Sequence, residues 1–169
     1  CYYKQKYMNK YTIYNVPILK ISESFEFSLL DIIKIRKFKN IIIFVDKFFD
    51  KKKLFKNSNL NKKIIHVDTT HEPTTDLIDK LISKLNLKKK IDCIVGVGGG
   101  SILDITKAIS ILLKNKGKCS KYVGWDKVQK PGVYKIAIPT LSGTGAEASK
   151  TCVFIDYEKK IKMGINSEY

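Results

Sequence analysis

The chain has 169 residues and a formal net charge of +16, which is enough length for one domain with a buried core. Nearly all of the excess charge is lysine, because Arg36 is the only arginine, whereas base-edge recognition favours arginine; we therefore expect no nucleic-acid partner. No apolar run approaches the ~20 residues of a membrane span, and the four cysteines lack C-x-x-C spacing, so we expect a cytoplasmic protein without a membrane partner or a disulfide framework.

Buried apolar runs alternate with helical spacings along the chain, a pattern typical of a parallel α/β sheet. The predicted elements, in chain order, are a helix opened by a capping box at Ser28-x-x-Asp31, a strand at 39–45, a short lysine-rich helix from Phe48 to Phe55, a polar loop at 57–59, a strand at 63–67, a helix capped by residues 72–75, a strand at 91–97, a helix with apolar positions from Ile102 to Leu113, a loop at 116–131, a strand at 134–138, and a hairpin of strands 151–156 and 161–166. We therefore predict an α/β fold: a Rossmann-like parallel sheet with flanking helices and a C-terminal β-hairpin.

Three consecutive glycines, Gly98, Gly99 and Gly100, stand between the strand at 91–97 and the helix that follows it. Free backbone N–H groups and the helix dipole attract an anion at such a turn, and missing side chains let a phosphate approach closely. The turn therefore predicts a binding site for a nucleotide pyrophosphate.

This turn differs from the common phosphate-binding fingerprints. A G-x-G-x-x-G pattern read from Gly96 fails at Ser101, and no acid ends a strand about 20 residues later, where a ribose would be held. The best strand-end acid, Asp46, lies before the glycines. A P-loop is excluded because no Gly-Lys-Ser/Thr follows, and a nucleophile elbow is excluded because Leu103 stands where glycine is required.

Several other polar and aromatic residues have structural interpretations. Ser101 and Asp104 have the spacing of a near capping box, a role that is compatible with phosphate binding. Lys107 lies two turns into the helix on its polar side, where we expect it to be solvated. His66 and His71 lack a nearby ligand set, so we predict no metal site within these residues, and we expect Trp125 to pack on the core.

A second polar segment, residues 139–147, follows the strand at 134–138 and carries the hydroxyls of Thr140, Ser142 and Thr144 with two glycines. Parallel strands end at one edge of a sheet, so this loop should lie beside the glycine turn, where α/β proteins bind ligands. Hydroxyls and glycines at this density suit a loop that closely wraps a polar ligand. An exposed polar turn is the alternative interpretation.

The two segments together match the patterns G-G-G-S-x-x-D-x-x-K and P-T-x-x-G-T-G-x-E, and in this order they resemble the iron-containing (group III) alcohol dehydrogenase family. The resemblance runs from about Lys39 to the end of the chain. It implies an N-terminal Rossmann-like domain that binds NAD or NADP, and a C-terminal helical domain that holds iron or zinc. Carried over by motif, the cofactor-binding residues would be Asp46 at the adenosine ribose, Gly98, Gly99, Gly100 and Ser101 at the pyrophosphate, Asp104 near the nicotinamide, Thr140, Ser142 and Thr144 beside the cofactor, and Lys162 at a ribose.

Residues 122–126, 130–133, 142–149 and 164–169 resemble in particular the subgroup of 3-deoxy-manno-octulosonate 8-oxidase, which oxidises a hydroxyl of a sugar acid. Leu141 and Ala146 depart from the threonine and serine of many relatives, which leaves the choice among NAD, NADP and oxygen open. In this family the metal ligands, an aspartate and three histidines, would lie beyond Tyr169. We therefore expect residues 1–169 to be the nucleotide-binding domain without the helical metal domain, with no catalytic residue of its own.

The resemblance implies that the intact protein is a metal-dependent oxidoreductase that oxidises an alcohol or a sugar-acid hydroxyl and assembles as a homo-oligomer, while this chain alone is inactive. Two alternatives remain open from the sequence. One is a lyase similar to dehydroquinate synthase, which uses NAD transiently. The other is a non-enzymatic basic module that binds RNA or anionic surfaces.

Overall fold

The computed structural model describes residues 16–50, 54–55, 59–85, 87–157 and 161–168. Its elements, in chain order, are α1 (Phe25–Arg36), β1 (Ile41–Asp46), β2 (Ile64–Val67), α2 (Thr75–Ser83), β3 (Cys93–Gly98), α3 (Gly100–Leu112), β4 (Gly124–Trp125), β5 (Tyr134–Pro139), β6 (Thr151–Asp156) and β7 (Ile161–Asn166). Four parallel strands form the main sheet in the order β2-β1-β3-β5. The predicted α/β fold with a parallel sheet and flanking helices is therefore confirmed.

The two faces of the main sheet bury two separate apolar clusters. Alternate residues of β1, such as Ile43 and Val45, belong to the cluster that includes Leu29 of α1. Phe44, between them, belongs to the cluster formed with α2 and α3. Side chains of a strand alternate between faces, so this arrangement places α1 on one side and α2 with α3 on the other.

The first helix begins four residues earlier than the Ser28 capping box predicts. Its N-cap is Ser24, whose hydroxyl accepts a hydrogen bond from the Phe27 amide. Phe25 precedes Leu29 by one helical turn, and its ring packs edge-on against Phe55 at 5.7 Å. This contact continues the buried stripe in the N-terminal direction, which the local capping pattern did not show.

The predicted short helix from Phe48 to Phe55 is wrong within the described residues. Only a three-residue 3₁₀ turn, Lys47–Phe49, forms directly after β1. Phe55 has a left-handed backbone with φ of 57° and is fully buried, so the chain turns there to insert its ring into the core. Residues 57 and 58 of the predicted polar loop lie outside the described residues, and Asn59 begins a second 3₁₀ turn.

The predicted hairpin is confirmed: β6 and β7 pair antiparallel, from Thr151 opposite Asn166 to Asp156 opposite Ile161. The hairpin forms a separate three-stranded sheet, because β4 within the predicted 116–131 loop pairs parallel with β7. Phe154 and Ile165 of the hairpin are buried in the same cluster as α3. The hairpin is therefore packed against the helix that follows the glycine turn.

Two further findings concern the described residues. None of their helices combines the length and the apolar character that a membrane span requires. Cys93, Cys119 and Cys152 are buried free thiols, and Cys1 lies outside the described residues. Burial raises the pKa of the Cys93 and Cys152 thiols to about 12. These buried thiols are therefore poor nucleophiles at neutral pH.

Candidate functional site

The glycine turn forms the N-terminus of α3 at the carboxyl edge of the main sheet. Gly99 is the N-cap in extended conformation, and no side chain caps the free amides of the first turn. Ser101 lies inside the helix, so the predicted Ser101–Asp104 capping box is wrong. The first-turn N–H groups and the positive end of the helix dipole are therefore left for an external acceptor.

The glycines of this segment serve two different purposes. A Cβ atom on Gly96 would lie 2.3 Å from Thr106 Oγ1, and one on Gly98 would lie 2.7 Å from Ile102 Cγ1, so both glycines let α3 pack closely on the sheet. A Cβ on Gly100 would meet only Thr144, at 3.4 Å. The core therefore requires the first two glycines, whereas packing does not account for the last.

The hydroxyl-rich loop, residues 140–149 between β5 and β6, lies directly against this turn, as the rule that parallel strands end at one sheet edge predicts. The Thr140 amide donates to the Gly98 carbonyl at 3.0 Å, which continues the β3–β5 pairing beyond the strands. The Leu141 side chain lies over Gly99, 3.1 Å from a built Cβ, and Thr144 lies beside Gly100. Ser142 is exposed. The two sequence segments thus form adjoining walls at one edge.

Asp104 and Lys107 connect α3 to the start of the hairpin. Asp104 Oδ1 lies 2.7 Å from Lys107 Nζ, with side-chain exposures of only 14% and 10%. Asp104 Oδ2 accepts a hydrogen bond from the Val153 amide at 3.1 Å, and Lys107 Nζ donates to the Thr151 carbonyl and, at 3.2 Å, to the Ser149 hydroxyl. The expectation that Lys107 is solvated is wrong, because β6 covers this face of the helix.

The hydrogen bond from Lys107 to Ser149 fixes the far end of the hydroxyl-rich loop. The loop leaves the sheet at Thr140, where its amide bonds to Gly98, and ends at Ser149, where Lys107 binds it. Both anchors lie on the β3–α3 unit, so the loop is held at each end by the element that carries the glycine turn. Asp104 therefore acts in this structure as a tether for the loop and hairpin.

Asp46 ends β1 at the same sheet edge. Its Oδ1 accepts from the Phe48 amide at 2.9 Å, and its Oδ2 accepts from Thr69 Oγ1 in the loop after β2. A carboxylate offers about four lone-pair positions, so two further donors can still be bound. The side chain is half-buried, and the two bonds fix it at the strand end.

Lys162 lies on the hairpin and reaches the loop after β2. Its Nζ is 2.8 Å from Glu72 Oε1, and both side chains are exposed. A cavity of about 420 Å³ opens beside them, lined among others by Asp68, His71 and Tyr157. Hydrogen bonds from Thr70 and the Lys47 cation lower the pKa of Asp68 to about 2. Lys162 therefore lies at the part of the sheet edge where β2 ends, and it forms an ion pair with Glu72.

Sequence reasoning missed the partners that complete these contacts. Thr69, which binds Asp46, and Pro73, whose carbonyl accepts from the Ile155 amide at 2.9 Å, follow β2. Their position after a parallel strand is the one available signal, because residues there lie at the ligand-binding edge. Leu141 departs in sequence from the threonine of many relatives, and in the structure its side chain covers Gly99.

The remaining sequence predictions concern a metal site and the position of Trp125. In the described ranges, no group of three or more His, Cys, Asp or Glu side chains is arranged to hold a metal ion, so these residues do not fit the family's iron or zinc. His66 instead lies 3.5 Å from Asp50. Trp125 is 72% exposed, which makes its predicted core packing wrong; β4 uses only its backbone to pair with β7.

Comparisons with known proteins agree with the fold and the motifs. The chain is 49% identical over 78 residues to sulfoacetaldehyde reductase of Bilophila wadsworthia, covering 46% of this chain and 20% of that protein. It is 38% identical over 81 residues to NAD-dependent methanol dehydrogenase of Bacillus methanolicus, covering 48% and 21%. NADH-dependent butanol dehydrogenase A of Thermotoga maritima has the same fold, with a TM-score of 0.76 at 19% identity over 95% of this chain and 42% of that one.

The chain therefore spans less than half the length of each of these relatives. The family model described as iron-containing alcohol dehydrogenase matches residues 27–169, which include both motifs and every described strand. The chain belongs to the iron-containing alcohol dehydrogenase family.

Proposed function

We propose that this chain is the cofactor-binding domain of an alcohol oxidoreductase and that it binds NAD(H) at the carboxyl edge of its main sheet. The observation that carries the proposal is the contact between the uncapped glycine turn and the hydroxyl-rich loop, with Thr144 beside Gly100. One wall offers free amides to the pyrophosphate, and the other offers hydroxyls. A similarity to NAD-dependent methanol dehydrogenase supports the choice of cofactor.

Each predicted residue receives a role consistent with its position. Gly100 leaves room for the pyrophosphate, the backbone of Gly98 and Gly99 leads the chain to it, and the amides of the first turn, with Ser101, bind its oxygens. Thr140, Ser142 and Thr144 line the facing loop. Asp104 positions this loop through Lys107. Lys162 would exchange Glu72 for a ribose hydroxyl, which the exposed, weakly held ion pair permits.

Asp46 is proposed to bind the adenosine ribose. A carboxylate accepts hydrogen bonds from ribose hydroxyls, and its charge repels the 2′-phosphate of NADP. The bonds from Thr69 and the Phe48 amide hold the carboxylate at the end of β1. We therefore propose that the domain prefers NADH to NADPH, and that Asp46→Asn reduces this preference.

A bound nicotinamide supplies the hydride acceptor for alcohol oxidation. Because the described residues do not fit a metal, we assign no catalytic step to them: they bind and orient the cofactor. We propose that the substrate of the intact protein is an alcohol, specifically a sugar-acid hydroxyl, from the segments that resemble 3-deoxy-manno-octulosonate 8-oxidase. We also propose that residues 1–169 form a single nucleotide-binding domain, inactive alone, of a homo-oligomeric protein.

The binding proposal is tested with the purified chain by titration with NADH, followed by fluorescence and calorimetry. The informative variants are Gly100→Asp and its isosteric neutral control Gly100→Asn. An aspartate in the first turn is favourable for the helix, so the domain should stay folded, while its charge repels the pyrophosphate. We expect Gly100→Asp to weaken NADH binding by at least about tenfold relative to the wild type, and Gly100→Asn, with the same bulk and no charge, measures the steric part of that loss.

The proposal fails if the chain shows no binding at millimolar NADH, or if Gly100→Asp binds NADH as tightly as the wild type. Thermal unfolding by circular dichroism verifies that both variants are folded. A parallel titration with NADPH measures the cofactor preference and its dependence on Asp46. Production of NADH from NAD and an alcohol by the chain alone would contradict the proposed division of roles.

A further inference from the structure

A second cavity, of about 540 Å³, lies at the opposite edge of the main sheet, and its lining is basic. It opens where β1, β3 and β5 begin, between the last turn of α1 and the end of α3. Its volume is in the range of about 300–1,000 Å³ that is typical of small-ligand sites. None of the residues assigned to the cofactor lines it. We call it the amino-edge cleft.

Five cations line the amino-edge cleft, and a single carboxylate accompanies them. The cations are Arg36, Lys37, Lys39, Lys90 and Lys114. Across the part of the chain that the structure describes, none of the five is within 4 Å of a carboxylate oxygen, whereas Lys162 and Lys47 at the cofactor edge are paired with Glu72 and Asp68. The cleft therefore has a concentrated positive charge that the described residues do not neutralise.

The single carboxylate, Asp92, is already engaged by the backbone. Its Oδ2 accepts from the amides of Lys39 and Asn40, both at 3.0 Å. The hydrogen bonds from Asn40 and then Lys39 lower the pKa of Asp92, so it is ionised at neutral pH. Its structural task is to join the beginnings of β1 and β3. It leaves the five cations with a net excess of positive charge.

At β5 the wall of the cleft is formed by contacts of Tyr134 with Arg36 and Phe38. The Arg36 guanidinium lies 5.3 Å from the centre of the Tyr134 ring, and the Phe38 ring is 5.1 Å from the same ring. Ring stacking holds a guanidinium without using its N–H donors, which remain available for bidentate contacts with phosphate. Ser110 Oγ donates to the Val133 carbonyl at 2.5 Å, which fixes the chain directly before Tyr134.

We propose that the amino-edge cleft binds a small polyanion that carries two or more adjacent phosphate groups. Arg36, the only arginine among 32 basic residues, contacts one phosphate with its planar fork. Lys39, Lys90 and Lys114 surround the neighbouring phosphates as point charges. The site is separate from the proposed NAD(H) site, because it lies at the other end of the same strands.

The orientation of α1 and α3 determines which groups in the cleft can bind an anion. The C-termini of α1 and α3 face the cleft, and the carbonyl ends of their helix dipoles carry partial negative charge. That charge favours the basic residues Lys34 and Arg36 in the last turn of α1, and it disfavours the binding of an anion by backbone groups there. Side-chain cations alone must therefore bind the ligand, and the affinity should fall steeply as salt rises from low ionic strength.

The test uses calorimetric titration with inorganic triphosphate of the wild-type chain and of Gly100→Asp, in which the glycine turn repels the probe. In that background we compare Arg36→Gln/Lys114→Gln with Lys80→Gln/Lys84→Gln. The control pair removes the same charge from the C-terminal end of another helix, and it does not line the cleft. We expect the cleft pair to lower the affinity at least about tenfold and the control pair to change it less than about twofold.

A second cleft pair, Lys39→Gln/Lys90→Gln, leaves the Arg36–Tyr134 stack intact and should lose affinity to a similar extent. Equal losses in the cleft and control pairs would show non-specific attraction and overturn the proposal. Absence of binding at millimolar triphosphate in low salt would overturn it as well. Tighter binding of single-stranded RNA, reduced by the cleft pairs and not by the control pair, would instead assign this face to nucleic acid. NADH binding by the wild-type chain is a separate readout, so the two proposals can fail independently.

Discussion

The substitution Lys107→Met tests whether the buried pair between α3 and the hairpin stabilises the domain. It removes a cation that lies 2.7 Å from Asp104 Oδ1 and that also binds the Thr151 carbonyl and the Ser149 hydroxyl. Methionine has a similar length, so the apolar stem is replaced with little loss of volume. The main consequence is that Asp104 is left as a largely buried charge without its counter-ion.

The magnitude follows from the contacts that survive. Removing one partner of a buried ion pair costs about 3–5 kcal/mol. Asp104 keeps the Val153 amide at 3.1 Å, and the Thr151 carbonyl keeps the Ser149 hydroxyl at 3.2 Å, so neither acceptor is fully deprived. We therefore expect a loss of about 3 kcal/mol in the free energy of unfolding, at the lower end of that range.

The assay is urea unfolding followed by far-ultraviolet circular dichroism for the wild type, Lys107→Met, Asp104→Asn and the double variant. Asp104→Asn keeps an acceptor for the Val153 amide and removes the buried charge. The double variant should therefore be more stable than Lys107→Met alone, which gives a favourable coupling energy of about 1–3 kcal/mol. A loss below about 0.5 kcal/mol in Lys107→Met, as at an ordinary surface position, would refute the buried-pair interpretation.

Three further predictions follow from other contacts. Gly96→Ala should cost about 1–3 kcal/mol in unfolding free energy, because its Cβ would lie 2.3 Å from Thr106 Oγ1, and Thr106→Ala in the same chain should recover part of the loss in urea titrations. Asp92→Asn should lower the free energy of unfolding at pH 7. The pKa of Asp92 is lowered in the folded state, so the stabilisation by its carboxylate is present above about pH 4 and is lost as pH falls further. The free energies of unfolding of variant and wild type, measured by urea titration as a function of pH, should therefore converge in acid. Cys93 and Cys152, with pKa values of about 12, should react with iodoacetamide at pH 8 at least about a hundredfold more slowly in the folded chain than in urea, and equal rates measured by mass spectrometry would contradict their burial.

Much of the fold could be predicted from the sequence, because the patterns that indicate helices and strands lie within a few neighbouring residues. The strand at 91–97 and the helix after Gly100 are clear from apolar runs and periodicity, and the structure has β3 and α3 there. The capping boxes were less reliable. Both Ser28 and Ser101 have the right neighbours, yet each lies inside its helix, because packing of Phe25 and the close approach of Gly98 to Ile102 decide where the helices begin.

The candidate site was predictable only in part for the same reason. The two motifs and the rule that parallel strands end at one edge predicted that the glycine turn and the hydroxyl loop would be neighbours, and the Thr140–Gly98 hydrogen bond places them together. The partners of Asp104 and Lys107 lie 49 and 44 residues away in the chain. No local pattern identifies such partners, since they depend on how the hairpin packs against α3.

The class of fold, the position of the glycine turn and the family could be predicted from the amino-acid sequence, because periodicity and short motifs are properties of adjacent residues. The roles of individual residues became clear only from the packing of the folded chain. Gly96 and Gly98 serve helix packing, Asp104 and Lys107 form a buried tether, and Trp125 lies at the surface. Burial and charge pairing depend on contacts between distant segments, and these contacts exist only once the two sheets have packed around α3.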